Sequence, residues 1–291
     1  MIKEITAKTI LNYVKQPDTW FGLRYNLNLY RGCQHQCIYC DSRSDCYQIE
    51  NFADILVKVN AIEILQDELP RKRKKGTIGF GSMNDPYMPI EKERELTRKA
   101  LEVIKKNSFP VHILTKSTLV LRDIDILRKI AKQYAAVSFT ITTADDELCK
   151  KLEPGAPVAS ERFSAIKELS DKGIYTGVMM MPILPFIEDT KENVEALVSQ
   201  AAVSGASYIL PWFGISLRSR QREYFYAKLD KLFPGIRRKY EIRYGEQYQC
   251  AVPNAQELYK LFDELCKKYG ITKKMKVYEG SQVIQGELFW S

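Results

Sequence analysis

The chain has 291 residues, 45% of them hydrophobic, which is enough to bury a substantial core and argues against both a small stapled scaffold and global disorder. Its 44 Lys and Arg against 36 Asp and Glu give a formal charge of +8, compatible with a polyanionic partner but not requiring one. No apolar run reaches the length of a membrane span, and Met1-Ile2-Lys3-Glu4 lacks the basic-then-apolar layout of a signal peptide, so a soluble cytoplasmic protein is expected.

After an N-terminal segment, 1–24, residues 25–30 alternate as a strand, and a cysteine-rich stretch follows at once. Asn51 predicts the cap of a helix running to about Leu69, with Ile55, Val59, Ile62 and Leu65 on one face. Residues 77–82 read as a short strand. Beyond the turn Asp85-Pro86-Tyr87-Met88-Pro89, a helix directs Leu96, Ala100 and Val103 inward. The unit repeats as strand 111–115 and helix 122–132, the latter carrying Ile124, Leu127 and Ile130. A β-rich run, 136–142, precedes a helix capped by Ser160 that bears Phe163, Ile166 and Leu169 and stops at Gly173. Strand 174–180, a helix capped by Asp189 with Val194, Leu197, Val198 and Ala201, and strand 208–213 complete the series.

Strands alternating with helices across short connections predict an α/β fold, a partial (β/α)6 TIM-type barrel over residues 25–215. Functional residues should then gather at the C-terminal ends of the strands. Beyond Phe213 the alternation stops. Two helical stretches, 219–232 and 254–269, bracket a basic, tyrosine-rich segment, so residues 216–291 read as a mostly helical C-terminal extension packed on the barrel.

Seven cysteines is an odd number, and Cys33, Cys37 and Cys40 crowd into the spacing C-x3-C-x2-C just after the first strand. In a reducing compartment such a cluster suggests metal ligation or redox chemistry rather than disulfides. Thiolates are soft ligands that suit zinc or an iron–sulfur cluster. A structural zinc site normally takes four ligands, and no second CxxC or HxxxH completes one, although His35 or Cys46 could supply the missing donor. A 4Fe–4S cluster on three cysteines would leave one iron open.

These three cysteines, with aromatic Tyr39 before the third, resemble the signature of the radical S-adenosylmethionine (SAM) superfamily. The resemblance covers roughly residues 26–213. It implies a partial barrel holding a 4Fe–4S cluster whose open iron chelates SAM, reductive cleavage to methionine and a 5′-deoxyadenosyl radical, and an electron donor of flavodoxin or ferredoxin type. Several segments resemble the spore photoproduct lyase-like (DNA repair photolyase-related) group more narrowly: Gly81 through Glu91, Leu114-Thr115-Lys116-Ser117, Ser138 through Thr143, Leu152-Glu153-Pro154 and Met181-Pro182. By that resemblance Tyr39, Asn84, Lys116 and Ser138 would contact SAM, with Thr142 and Glu153 as weaker candidates. Lys116 is chemically suited to the carboxylate, Ser138 to a ribose hydroxyl. The sequence departs from the lyase at Ser82, three residues before Asp85, where the lyase has a hydrogen-donating cysteine. A serine O–H bond is too strong for that role, which argues against photoproduct reversal.

Among the other cysteines, Cys149 and Cys266 read as small buried hydrophobes. Cys250, beside two tyrosines in an expected loop, is the candidate hydrogen donor, with Cys46 behind it. The run Arg71-Lys72-Arg73-Lys74-Lys75 falls at the bottom of a βα barrel and reads as a solvated loop. Arg218, Arg220 and Arg222 follow the last strand and are the candidate contacts to a nucleic acid or nucleotide-like substrate. Two alternatives stand beside that reading: radical SAM modification of a peptide, protein or small metabolite, and a non-catalytic metal-stabilised binding module.

Overall fold

The computed structural model describes residues 1–16, 20–49 and 51–279. The N-terminal strands β1 (Ile2–Ile5) and β2 (Leu11–Tyr13) precede β3 (Leu23–Leu27), and β4 (Tyr30–Arg31) leads into the cysteine loop. The chain then forms β5 (Ile55–Lys58), α1 (Ala61–Glu68), β6 (Thr77–Phe80), α2 (Glu91–Arg94), α3 (Leu96–Lys106), β7 (Val111–Thr115) and α4 (Ile124–Ile130). It continues through β8 (Ala135–Thr140), α5 (Asp146–Leu152), α6 (Ala159–Asp171), β9 (Tyr175–Met180), α7 (Lys191–Val203) and β10 (Tyr208–Pro211).

Strands β3, β6, β7, β8, β9 and β10 lie side by side in that order and run parallel, and β2 joins the β3 edge antiparallel. This is the expected α/β arrangement of a mostly parallel sheet with helices around it. β6 and β8 are buried along their whole length because helices cover one face and the barrel interior the other.

Three expected elements differ. The helix expected to start from Asn51 begins only at Ala61, and residues 55–58 form a strand pairing parallel with β1 and antiparallel with β4. Asn60, at the helix start, uses its side-chain amide on both backbone groups of Ala7 instead (2.9 and 3.0 Å). Ser160 lies inside the first turn of α6, where its hydroxyl donates to Asp146, and a separate helix, α5, which carries Cys149, precedes it, capped by Asp145. The cap of α7 is Thr190, whose hydroxyl accepts from the Asn193 N–H, rather than Asp189.

Beyond β10 the chain makes β11 (Gly214–Ser216), α8 (Gln221–Leu232), α9 (Ile236–Tyr244), β12 (Gln249–Ala251) and α10 (Ala255–Tyr269). The tyrosine-rich segment is therefore itself helical. Its Tyr240 and Tyr244 pack with Phe225, Tyr39 and Leu184 in a cluster that ties the extension to the cysteine loop. α10 packs on α7. The segment that follows it reaches the bottom of the barrel, where Ile209 N–H donates to Thr272 and Tyr134 donates to Lys276. Among the described residues no helix is long and apolar enough to cross a membrane.

Candidate active site

All six parallel strands, or the loops leaving their C-terminal ends, contribute to one cavity of about 230 Å³. The loop after β3 supplies Cys33, Cys37 and Cys40. The turn after β6 supplies Ser82, Asn84 and Asp85, and the end of β7 supplies Lys116. Thr140 comes from β8, Pro182 from beyond β9 and Trp212 from beyond β10. Gly81 makes the second of these turns possible. Its φ is +92°, and a Cβ there would sit 2.1 Å from the Leu114 carbonyl oxygen.

The cysteine loop is shaped from outside by its neighbours' backbone. Ile38 N–H donates to Leu152, and Gly155 N–H to His35, both at 2.9 Å. Arg43 grips it from the other side, donating to Gln36 Oε1 (2.7 Å) with its guanidinium 4.3 Å from the Phe52 ring centroid and 3.8 Å from that of Tyr224. Cys33 and Cys37 are buried and Cys40 is partly so. Burial pushes Cys33 up to about 12 and raises Cys37 and Cys40, the Lys116 ammonium opposing the rise at the latter two. Buried thiols become thiolates readily only when a cation or metal centre supplies positive charge.

The donor set fits an iron–sulfur cubane better than one ion. Among the described residues no three His, Cys, Asp or Glu side chains are placed to hold a single metal ion. A 4Fe–4S cluster would take one thiolate per iron, so three cysteines around a cavity would suit it. His35 sets its Nδ1 3.3 Å from Asp85 and leaves Nε2 without a hydrogen-bond partner among the described residues, but it does not join the cysteines in a set of three donors placed for one ion.

Asp85 is the hinge of the β6 turn. It accepts from Tyr87 N–H (2.8 Å), the Thr115 hydroxyl (2.7 Å) and Lys116 N–H (2.6 Å). Burial alone would raise its carboxyl, but His35 and these donors hold it down at about 2. Asn84 turns its amide onto the Tyr30 carbonyl (2.7 Å). Lys116 places Nζ 3.7 Å from Glu153 and 5.7 Å from the Tyr39 ring centroid. Burial favours its neutral form, but Cys37 and Glu153 outweigh that and keep it a cation. Glu153, 1% exposed, is paired with Arg162 at 2.5 Å and accepts from the Tyr39 hydroxyl.

The structure thus brings Cys33, Cys37, Cys40, Tyr39, Asn84 and Lys116 to one cavity. Ser138 is not in its lining. It lies deeper, bonded to His112 Nε2 (2.7 Å) and the Tyr208 hydroxyl (2.6 Å), and Thr140 lines the cavity two residues further along the same strand face. Cys250 is not in a loop but in β12, fully buried among Tyr226, Tyr240 and Tyr244 and outside the lining. Burial pushes its thiol up to about 11. Arg222 is buried too, and donates to the carbonyls of Leu217, Gly245 and Gln247, so it pins the extension rather than facing solvent. Arg218 and Arg220 are half-exposed above the cysteine loop, Arg218 within 3.2 Å of cavity-lining Asp41 and 3.1 Å of Cys46. Trp212, Thr140 and Arg43 were not singled out by the sequence: Trp212 falls in the expected strand 208–213 and Arg43 just beyond the cysteines, and neither carries a motif of its own.

The profile of the radical SAM superfamily matches residues 27–199. An uncharacterized protein of Mycobacterium tuberculosis is 30% identical over 249 residues, covering 83% of this chain and 73% of that protein. The radical SAM Nalpha-GlyT isomerase of Pseudomonas phage M6 is 26% identical over 247 residues, 82% of this chain and 50% of the isomerase. A mutant spore photoproduct lyase, solved with bound AdoMet and dinucleoside spore photoproduct, shares the fold: TM-score 0.68, 16% identity, 92% of this chain and 79% of that one.

Proposed function

The chain belongs to the radical SAM superfamily, and from that premise we propose that it holds a 4Fe–4S cluster on Cys33, Cys37 and Cys40, binds SAM beside it, and acts on a nucleic acid or nucleotide-like substrate. The observation that carries the reading is the cavity in which three cysteines, two of them buried, face a largely buried, protonated lysine. When bound, the cluster would supply the electron that cleaves SAM. The remaining tasks fall to side chains of this chain. Lys116 offers its ammonium to the SAM carboxylate, and Glu153 with Tyr39 fixes where that ammonium stands. Asn84 and Thr140 present polar groups to the rest of the cofactor, while Leu114, Pro182 and Ile215 keep water from the reacting carbon. An electron donor of flavodoxin or ferredoxin type would supply the reducing equivalent.

The substrate class is supported from two directions. Arg218 and Arg220 sit half-exposed above the cysteine loop, where cations can pair with phosphates. A relative of this chain is a Nalpha-GlyT isomerase, and a protein of the same fold binds a dinucleoside.

Anaerobic reconstitution tests the core of this reading. The protein should take up about four irons and four sulfides per chain, and with dithionite and SAM it should release 5′-deoxyadenosine. Replacing Cys33, Cys37 or Cys40 by Ala should abolish both. Stoichiometric zinc with no iron uptake would overturn it.

A further inference from the structure

Trp212 lines the cavity with its backbone fixed on both sides. Its N–H donates to Met180 and its carbonyl accepts from Ile183, each at 3.0 Å. Its side chain is different. Among the described residues the half-buried indole stacks on no ring, lies under no cation, and has no acceptor for Nε1–H. The other large aromatic side chain of the lining, Tyr39, is by contrast engaged by Glu153 and Lys116. A partly exposed indole on a fixed backbone, with an unused donor, is well satisfied by a flat ligand.

The position narrows the ligand. β10, which delivers Trp212, is an outer strand of the sheet, so its tip borders the side where the barrel is not closed by strand pairing. The same stretch then returns to the cavity at Ile215 and Ser216 and carries Arg218 above the cysteine loop. A planar face followed along the chain by a guanidinium matches a base followed by a phosphate. The expected SAM contacts, Lys116 and Tyr39, come from the β7 and β3 tips instead.

We propose that Trp212 is the stacking platform for a nucleobase of the substrate, with its indole N–H available to a sugar or phosphate oxygen at the edge of the stack. This rests on the nucleotide reading above and adds a binding subsite to it. Adenine of SAM is the other flat ring that could reach the same face, and the test separates the two.

The probes are the dinucleotide TpT, its analogue lacking both bases, and SAM, each titrated calorimetrically into cluster-loaded protein. Stacking contributes about 1–3 kcal/mol per base, so wild type should bind TpT at least roughly fivefold more tightly than the baseless analogue. Trp212→Ala should erase that ratio, Trp212→Phe should keep most of it, and both should bind SAM as wild type does, which also reports an intact fold. A Trp212→Ala protein that keeps the ratio overturns the proposal, and one that loses SAM affinity instead assigns the ring to adenine. Equal wild-type binding of TpT and its baseless analogue would sink the stacking role while leaving the nucleotide reading standing. Binding of neither would remove both.

Discussion

Glu188 lies in the loop between β9 and α7, 1% exposed, and accepts from the Leu184 N–H at 2.9 Å. Burial raises its carboxyl well above the ordinary value, and the Thr142 hydroxyl and Leu184 N–H only moderate the rise. The folded chain therefore holds a proton that the unfolded chain releases above its ordinary carboxylate range. Stability from this group is complete below that range and is lost as pH rises towards the folded value. Glu188→Gln removes the titration and keeps the acceptor. It should melt higher than wild type at pH 8, with the gap closing as pH falls into the ordinary carboxylate range. Thermal melts at pH 8 and in that range decide it, and equal Tm at pH 8 would show that Glu188 is charged and paired. Glu153 is the contrast: equally buried, it has its carboxyl held low against burial by Arg162 and Lys116. The sequence offers no way to tell these two glutamates apart, because what separates them is which distant cation each one meets.

At the scale of elements, the turn after α5 acts as a brace for the cysteine loop. Besides the two backbone bonds it makes there, Gly155 packs so tightly that a Cβ would lie 2.1 Å from the Gln34 carbonyl oxygen. Gly155→Ala should push the loop away from the turn, at a cost of about 1–3 kcal/mol. Iron bound per chain after reconstitution should drop along with Tm; undiminished iron would show that the loop holds its shape without the brace. The parallel strands β6 to β10 were legible as short apolar-rich runs, and β3 from its alternation. β5 was not, since the partners that make residues 55–58 a strand are β1 and β4, and local periodicity carries no trace of them. Ser138 and Thr140 show the same limit at the site. Alternation places both on the interior face of β8, but which of the two meets the cavity depends on the stagger of neighbouring strands, about 7 Å for two residues. The cysteine spacing, by contrast, was readable outright because its ligands are neighbours in sequence.

For the molecule as a whole, the +8 formal charge overstates the surface that can meet a polyanion. Arg237 is taken up by Asp230 and Glu241, and Arg98 by Asp123 and Asp125. The run 71–75 leads into the N-terminal end of β6, opposite the cavity. Of the three arginines after the last barrel strand, Arg222 is committed to backbone carbonyls, and only Arg218 and Arg220 keep substantial exposure, with side chains 37% and 40% accessible. Salt dependence should separate them. Each phosphate contact adds about 0.7 to the slope of log K against log salt for a single strand. With a twelve-residue oligothymidylate, Arg218→Gln and Arg220→Gln should each flatten the slope by roughly that amount. Arg222→Gln should leave the slope alone and lower Tm, because it releases three carbonyls, of which the buried one of Leu217 costs about 1–3 kcal/mol if left unsatisfied. If the Arg218→Gln, Arg220→Gln double variant kept the wild-type slope, the polyanion would have to bind elsewhere on the molecule. If Arg222→Gln alone flattened it, the guanidinium would have to leave its carbonyls on binding, and the extension would have to open with it.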